Sequence, residues 1–124
     1  MKKMWIAMSV AALAVASMGA QAHGPAPAKH GGVVQSASDL GFELVGQPEG
    51  AVLYIEDHGK PLATKGASGK LTVLNGAEKS EADLVPTGDN VLQAKGAKLA
   101  AGSKAVAAVT LPSGKVVTVR FTVK

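Results

Sequence analysis

The chain has no cysteine and few aromatic residues: its 124 residues include one Trp, one Tyr and two Phe. The absence of cysteine excludes disulfide cross-links, thiolate metal ligands and a lipid anchor on an N-terminal cysteine. The lysines are spread singly, without a basic run or interleaved aromatic residues. Because nucleic-acid binding needs basic patches and stacking platforms, we expect no nucleic-acid partner.

Motifs of common enzyme classes are missing as well. No G-x-S-x-G elbow for a serine nucleophile occurs. The run Gly66–Lys70 departs from a phosphate-binding loop, because Thr64 stands where the first glycine belongs and Leu71 where Ser or Thr belongs. The adjacent carboxylates Glu56 and Asp57 point to opposite faces of a strand and so do not form an acid/base pair. We therefore expect a protein that is not an enzyme.

The first 22 residues have the three parts of a secretory signal peptide. Met1–Lys3 is positively charged, Trp5–Val15 is apolar, and Ala20–Ala22 is a small-residue cleavage pattern. The alternative, a membrane anchor, needs about 20 continuous apolar residues, and here the apolar run gives way at Gly19. We expect export to the periplasm, removal of residues 1–22, and a soluble product without stable membrane insertion.

The rest of the chain divides into a short arm and one domain. Residues 23–30 contain small residues, His and Pro without periodicity, which indicates a flexible arm. Residues 31–124 are long enough for one small domain with a modest core. The formal net charge of the whole chain is +4. Loss of Lys2 and Lys3 with the signal peptide brings this charge closer to neutral.

Alternation of apolar and polar residues with a period of two indicates strands. In the last segment Val117, Val119 and Phe121 alternate with polar residues, so one face is predicted to be core and the other exposed. Turn signals such as Asn75-Gly76 and Ser113-Gly114 separate the apolar runs. Seven further strands are predicted near residues 32–35, 42–44, 51–56, 70–75, 81–85, 90–95 and 104–111.

This pattern predicts an all-β fold, an antiparallel Ig-like β-sandwich of seven to eight short strands. No segment has the periodicity of a long amphipathic helix, and the Ala-rich stretch at residues 97–108 is expected to be loop followed by strand. Phe42, Tyr54 and Phe121 are expected in the core.

Three histidines follow the predicted cleavage point: His23 at the new N-terminus, His30 at the junction of arm and domain, and His58 in a turn. An N-terminal histidine offers its α-amine and its imidazole Nδ1 to one metal ion, and a flexible arm lets His30 add a second imidazole. These ligands suit divalent ions, with Cu(II) favoured first and Zn(II) second. Asp57 is either a further ligand or the acceptor that orients the His58 ring. We predict a metal site from His23, His30, His58 and Asp57, without an organic cofactor.

Each histidine also has a simpler interpretation. His23 is then an accident of where the signal peptide ends, His30 a solvated linker residue, and His58 an ordinary residue of a hairpin turn. Under this alternative the domain is a non-metal interaction or accessory module of the cell envelope. A third hypothesis, an enzyme with an N-terminal copper brace, conflicts with the flexibility expected of the arm. Glu43 and Glu56 are further candidate ligands whose proximity depends on the fold.

Three segments carry a family resemblance: Lys29–Val33 with its HGG motif, Asp39–Val45 with F-E-L, and Leu53–Pro61 with D-H-G-K-P. Together they resemble small periplasmic metal-associated proteins of bacteria. They are also similar to the β-rich N-terminal region of adaptor subunits in RND-type heavy-metal efflux pumps. The adaptor's coiled-coil hairpin and lipoyl-like halves have no counterpart in this sequence.

The resemblance covers about a third of the chain beyond residue 22. It implies a periplasmic protein near copper, zinc or cobalt homeostasis, with an envelope efflux or adaptor protein as a partner. Together with the histidines, it favours a soluble carrier that buffers or delivers a divalent ion by capture and release.

Overall fold

A computed structural model of the chain describes residues 27–124. The predicted signal peptide, residues 1–22, and His23 lie outside the described residues. Within the described range the chain forms nine strands and no helix, and 62% of these residues are in strands. The same range accordingly contains no helix that could span a membrane. The expectation of an all-β fold is confirmed.

The strands follow one another with short connections. They are β1 (Val33–Ala37), β2 (Leu40–Gln47), β3 (Gly50–Asp57), β4 (Lys60–Pro61), β5 (Ser68–Asn75), β6 (Glu78–Gly88), β7 (Val91–Lys95), β8 (Lys104–Thr110) and β9 (Val116–Thr122). Eight of them overlap the eight strands predicted from the sequence. The two-residue β4 was not predicted, because so short a strand carries no alternation. The Ala-rich stretch is loop leading into β8, as expected.

All strand pairs are antiparallel, in the order β1-β2-β3-β7-β6-β5-β8-β9, with β4 beside the end of β3. The long strand β6 has two partners: Glu78–Leu84 pairs with β5 and Val85–Gly88 pairs with β7. The register shifts between Pro86 and Gly88, where proline has no amide hydrogen to donate. A strand that passes from one partner to another in this way lets the sheet turn a corner.

The sheet is nearly closed into a barrel, because its two edge strands, β1 and β9, lie against each other. No backbone ladder joins these two strands in the described part of the chain. The Ig-like sandwich is therefore not confirmed, since alternation shows which residues face inwards but not whether the sheet edges meet. The largest fully buried apolar side chains of the core are Phe42, Leu44, Leu53, Ile55, Leu71, Leu84, Leu92 and Val109.

Candidate functional site

Three polar side chains are buried among residues 27–124: Glu43, Thr64 and Ser103. Thr64 donates its hydroxyl to the carbonyl of Val91 at 2.9 Å, and Ser103 donates to that of Ala100 at 2.7 Å. Glu43 alone among the three carries a charge. A buried charge is costly unless it is paired or hydrogen-bonded. The groups that bond to Glu43 therefore define the candidate site.

Glu43 lies on the outer face of β2, opposite the core residues Phe42 and Leu44. Its neighbours across the strands are Val34 on β1 and Tyr54 on β3. Solvent normally covers such an outward residue, yet Glu43 is only 6% exposed. Another part of the chain must therefore lie over it.

Residues Lys29–Gly32, hereafter the docked segment, cover Glu43 through their backbone. The amide of Lys29 donates to Oε1 of Glu43 at 3.0 Å. The amides of His30 and Gly32 donate to Oε2 at 2.9 and 2.8 Å. These are charge-assisted hydrogen bonds, the stronger kind. The end of the predicted arm is thus joined to the sheet through one carboxylate.

The docked segment approaches the sheet so closely that glycine is required at its last position. A Cβ atom on Gly32 would lie less than 3.0 Å from backbone atoms of Leu44 and from a methyl group of Val45. Backbone atoms within a sheet have little freedom to move aside. Any larger residue at position 32 therefore displaces the docked segment.

Side chains add two contacts to the backbone bonds. Lys29 Nζ lies 2.7 Å from Oε2 of Glu56, an exposed ion pair of small energetic value. The His30 ring stacks on the Tyr54 ring, with centroids 3.7 Å apart and planes 10° from parallel. The stack sets the plane of the imidazole.

The expected core position of Tyr54 is wrong. Tyr54 is half-buried on the outer face of β3, because its neighbours Leu53 and Ile55 take the inward positions. Phe42 and Phe121 are core residues, as expected.

Glu43 is held in its charged form by the docked segment. Burial raises the pKa of Glu43, but the backbone amides of Gly32, His30 and Lys29, together with the charge of His30, outweigh burial. The pKa therefore falls below its ordinary value of 4.5. At neutral pH this carboxylate is an acceptor with no proton of its own.

A crevice between the docked segment and the sheet has a volume of about 20 Å³, room for about one water molecule. Lys29, Glu43, Tyr54 and Glu56 contribute to its walls. Because the crevice is too small for an organic ligand, the chemistry available at this point is that of the exposed imidazole of His30.

The second described histidine, His58, lies in the two-residue turn between β3 and β4. Its φ is 53° and that of Gly59 is 84°, as in the primed turns that close two-residue hairpins. Histidine is one of the few non-glycine residues enriched at positive φ. The Nδ1 atom lies 2.6 Å from Oδ1 of Asp57, and the side chain is 80% exposed. This contact matches the orienting role considered for Asp57.

The structure does not bring the described candidate ligands into one group. His30 lies on the docked segment, whereas Asp57 and His58 lie at the β3–β4 turn. Among residues 27–124 no three His, Cys, Asp or Glu side chains are placed to hold a metal ion together. The position of His23 is outside the described range.

The sequence analysis missed the contribution of Glu43 and Tyr54 to holding the docked segment. A signal for it exists in the alternation of β2 and β3. The apolar residues that flank each of these two positions face the core, so Glu43 and Tyr54 share the outer face. That signal places the two side chains together on one face, but it does not show that residues 29–32 cover them.

Comparison with known proteins identifies no relative: no family model, no curated protein and no solved structure matches the chain. The resemblance to efflux adaptors thus stays a prediction from three short segments.

Proposed function

We propose that this chain is an exported periplasmic metal-binding protein that buffers or delivers a divalent ion, Cu(II) first and Zn(II) second, in heavy-metal homeostasis or efflux. The observation that carries the proposal is the position of His30. His30 is exposed, and its ring stacks on the ring of Tyr54. The hydrogen bonds within the described range use the backbone amide of His30 and not its ring nitrogens.

His23 supplies the other ligands in this proposal. After removal of residues 1–22 its α-amine and imidazole Nδ1 chelate one ion, and His30 adds a second imidazole. Six residues separate the two histidines, and they span about 20 Å when extended, enough for the arm to fold back. Because these donors are nitrogen atoms, the affinity order places Cu(II) before Zn(II).

His58 forms a separate and weaker site in this proposal. Its ring, oriented by Asp57, offers one imidazole and one carboxylate, which are fewer ligands than the arm provides. The ligands of both sites are exposed, which permits exchange of the ion. Exchange is what a carrier needs, in contrast to the closed four-ligand sites of structural metals. The role is thus binding rather than catalysis, and it does not depend on an Ig-like arrangement of the strands.

The test begins with mass spectrometry of the exported protein, to establish whether it starts at His23. Cu(II) and Zn(II) are then titrated into that form, into a form with one additional N-terminal alanine, and into His30→Ala and His58→Ala variants. We expect the added alanine and His30→Ala each to weaken Cu(II) binding at least tenfold, and His58→Ala to change it little.

Two results contradict the proposal. One is cleavage at another position, and the other is equally weak binding by all four forms. Either result favours the non-metal interaction module of the envelope. A pH titration adds an independent check, because protons compete with metal ions for imidazole. Cu(II) affinity should fall below about pH 6, and affinity indifferent to acid contradicts ligation by histidine.

A further inference from the structure

We propose that Glu43 is the positioning residue of this metal site: by binding three backbone amides of the docked segment it holds the His30 imidazole on Tyr54, ready to ligate the ion. This inference rests on the proposed function and adds to it the residue that prepares the ligand.

Fixing a ligand before the ion arrives increases affinity. A histidine on a mobile arm loses backbone and side-chain freedom when it captures an ion, and that loss opposes binding. The contacts of Glu43 with the docked segment order the backbone of His30 during folding instead. Partners that hydrogen-bond to the ring of a metal-ligating histidine typically change metal affinity by about 10- to 100-fold, and we expect Glu43, which bonds the His30 backbone, to lie at the lower end of that range.

The stacked geometry leaves the ligand atoms of His30 available. The lone pair of an imidazole nitrogen lies in the ring plane, whereas Tyr54 covers one face of the ring. With centroids 3.7 Å apart and planes 10° from parallel, the ring edge that carries the nitrogens stays clear of Tyr54. An ion therefore approaches His30 from the side without breaking the stack.

The charges around the docked segment also favour a cation. Glu43 and Glu56 are acidic, and among residues 27–124 the one basic side chain that pairs with either of them is Lys29, which binds Glu56. Because Lys29 binds Glu56, its positive charge is largely offset. The charge of Glu43 remains close to the backbone of His30.

The carboxylate cannot be replaced by an amide without losing bonds. Lys29 donates to one oxygen of Glu43, while His30 and Gly32 donate to the other. A glutamine has one acceptor oxygen and one donor NH₂ group. In either orientation, Glu43→Gln places the NH₂ group against at least one backbone amide, and the docked segment loosens.

The experiment compares Glu43→Gln with Glu78→Gln, a control with the same loss of charge at an exposed position at the start of β6. A second variant, Gly32→Ala, displaces the docked segment sterically and leaves Glu43 intact. Position 32 precedes β1, so this substitution alters no core side chain. All are made in the processed protein.

Three readouts are compared. Amide NMR signals of Lys29, His30 and Gly32 in the metal-free protein report docking, and competition with a chelator gives the Cu(II) affinity. Quenching of Tyr54 emission by Cu(II) reports the distance of the ion from the stack, because Tyr54 is the single tyrosine and Trp5 leaves with the signal peptide.

We expect Glu43→Gln and Gly32→Ala to shift the amide signals, to weaken Cu(II) binding about tenfold and to reduce quenching at saturation. Glu78→Gln should change none of these.

The outcomes separate this inference from the proposed function. If Glu43→Gln shifts the amide signals but binds Cu(II) as the unsubstituted protein does, while His30→Ala weakens binding, Glu43 is not a positioning residue and the function stands. The same conclusion follows if Glu43→Gln leaves the amide signals in place. If His30→Ala binds as tightly as the unsubstituted protein, the proposed function is wrong, whatever the amide signals show.

Discussion

Strands β9 and β2 alternate in the same way but differ on their outer faces. In β9 the inward residues Val117, Val119 and Phe121 are buried and every residue between them is exposed. In β2 the inward residues Phe42 and Leu44 are buried, and the outward residue between them is buried as well. The docked segment covers β2, whereas the outward residues of β9 stay exposed, including Thr122, whose hydroxyl accepts a hydrogen bond from Lys104 on the neighbouring β8. The burial of the outward Glu43 therefore comes from a segment of the chain that has folded back over the sheet.

The largest expected effect on stability tests the regular alternation of buried and exposed residues in β9. Phe121→Ala on β9 removes a ring that is 3% exposed and should cost about 3–5 kcal/mol of the free energy of unfolding. The neighbouring Arg120→Ala, on the exposed face, should change it by less than about 0.5 kcal/mol. Denaturant unfolding measures both. Similar costs for the two substitutions contradict the one-sided burial of β9.

An intermediate effect is expected where β2 departs from the regular pattern. Glu43→Ala removes the acceptor of three backbone amides and should cost about 1.5–3 kcal/mol, the range for hydrogen bonds to a charged group. Glu81→Ala, at an exposed position within β6, is the matched control and should cost less than about 0.5 kcal/mol. Denaturant unfolding at neutral pH measures the difference. If both glutamates behave like surface residues, the docked segment contributes nothing to stability.

The alternation that makes β2 and β9 comparable was predictable from the sequence, and so were eight of the nine strands. Each inward residue is apolar, and that signal is local. The closure of the sheet was not predictable, because it depends on β1 meeting β9, which lie at opposite ends of the folded domain in sequence. The expected Ig-like sandwich is not confirmed, because alternation predicts strands and their inward faces but not which edges of the sheet meet.

The docking of residues 29–32 could not be predicted from the sequence for a different reason. Its bonds to Glu43 come from backbone amides, which nearly every residue has, and the glycine that the close approach requires at position 32 does not show in the sequence what it packs against. Their composition indicates only an absence of periodicity. Tyr54 was misplaced because an aromatic residue suggests core, although the alternation of Leu53 and Ile55 around it indicates the opposite face. The candidate metal ligands were chosen by residue type, which does not show whether the fold brings them together.

Acid should release the docked segment from β2. The outer face of β2 would then be uncovered, like that of β9. The pKa of Glu43 is lowered in the folded protein, so its charged form contributes stability above its ordinary value of 4.5. That contribution is lost as the pH falls below 4.5 and through the folded-state pKa. The stability advantage of the unsubstituted protein over Glu43→Gln should be constant near neutral pH and shrink below 4.5.

Unfolding curves of both proteins from pH 7 to pH 3 measure this advantage. The penalty of Phe121→Ala serves as the control, because no carboxylate is involved, and it should stay constant over the same range. An advantage that persists or grows in acid contradicts the assignment of Glu43 as the charged acceptor.

The smallest effect concerns the contact between His30 and Tyr54. Beyond simple burial, a stacked pair contributes about 0.5–1.5 kcal/mol, and exposure of His30 places this pair at the lower end. A double-mutant cycle with His30→Ala and Tyr54→Leu should give that coupling energy, whereas a cycle with Tyr54→Phe should give almost none, since phenylalanine keeps the ring. The coupling should vanish when the cycle is repeated with Glu43→Gln, because the stack exists only while the segment is docked. If the coupling survives there, stacking alone holds His30 on the outer face, and the burial of Glu43 is a consequence of docking and not its cause.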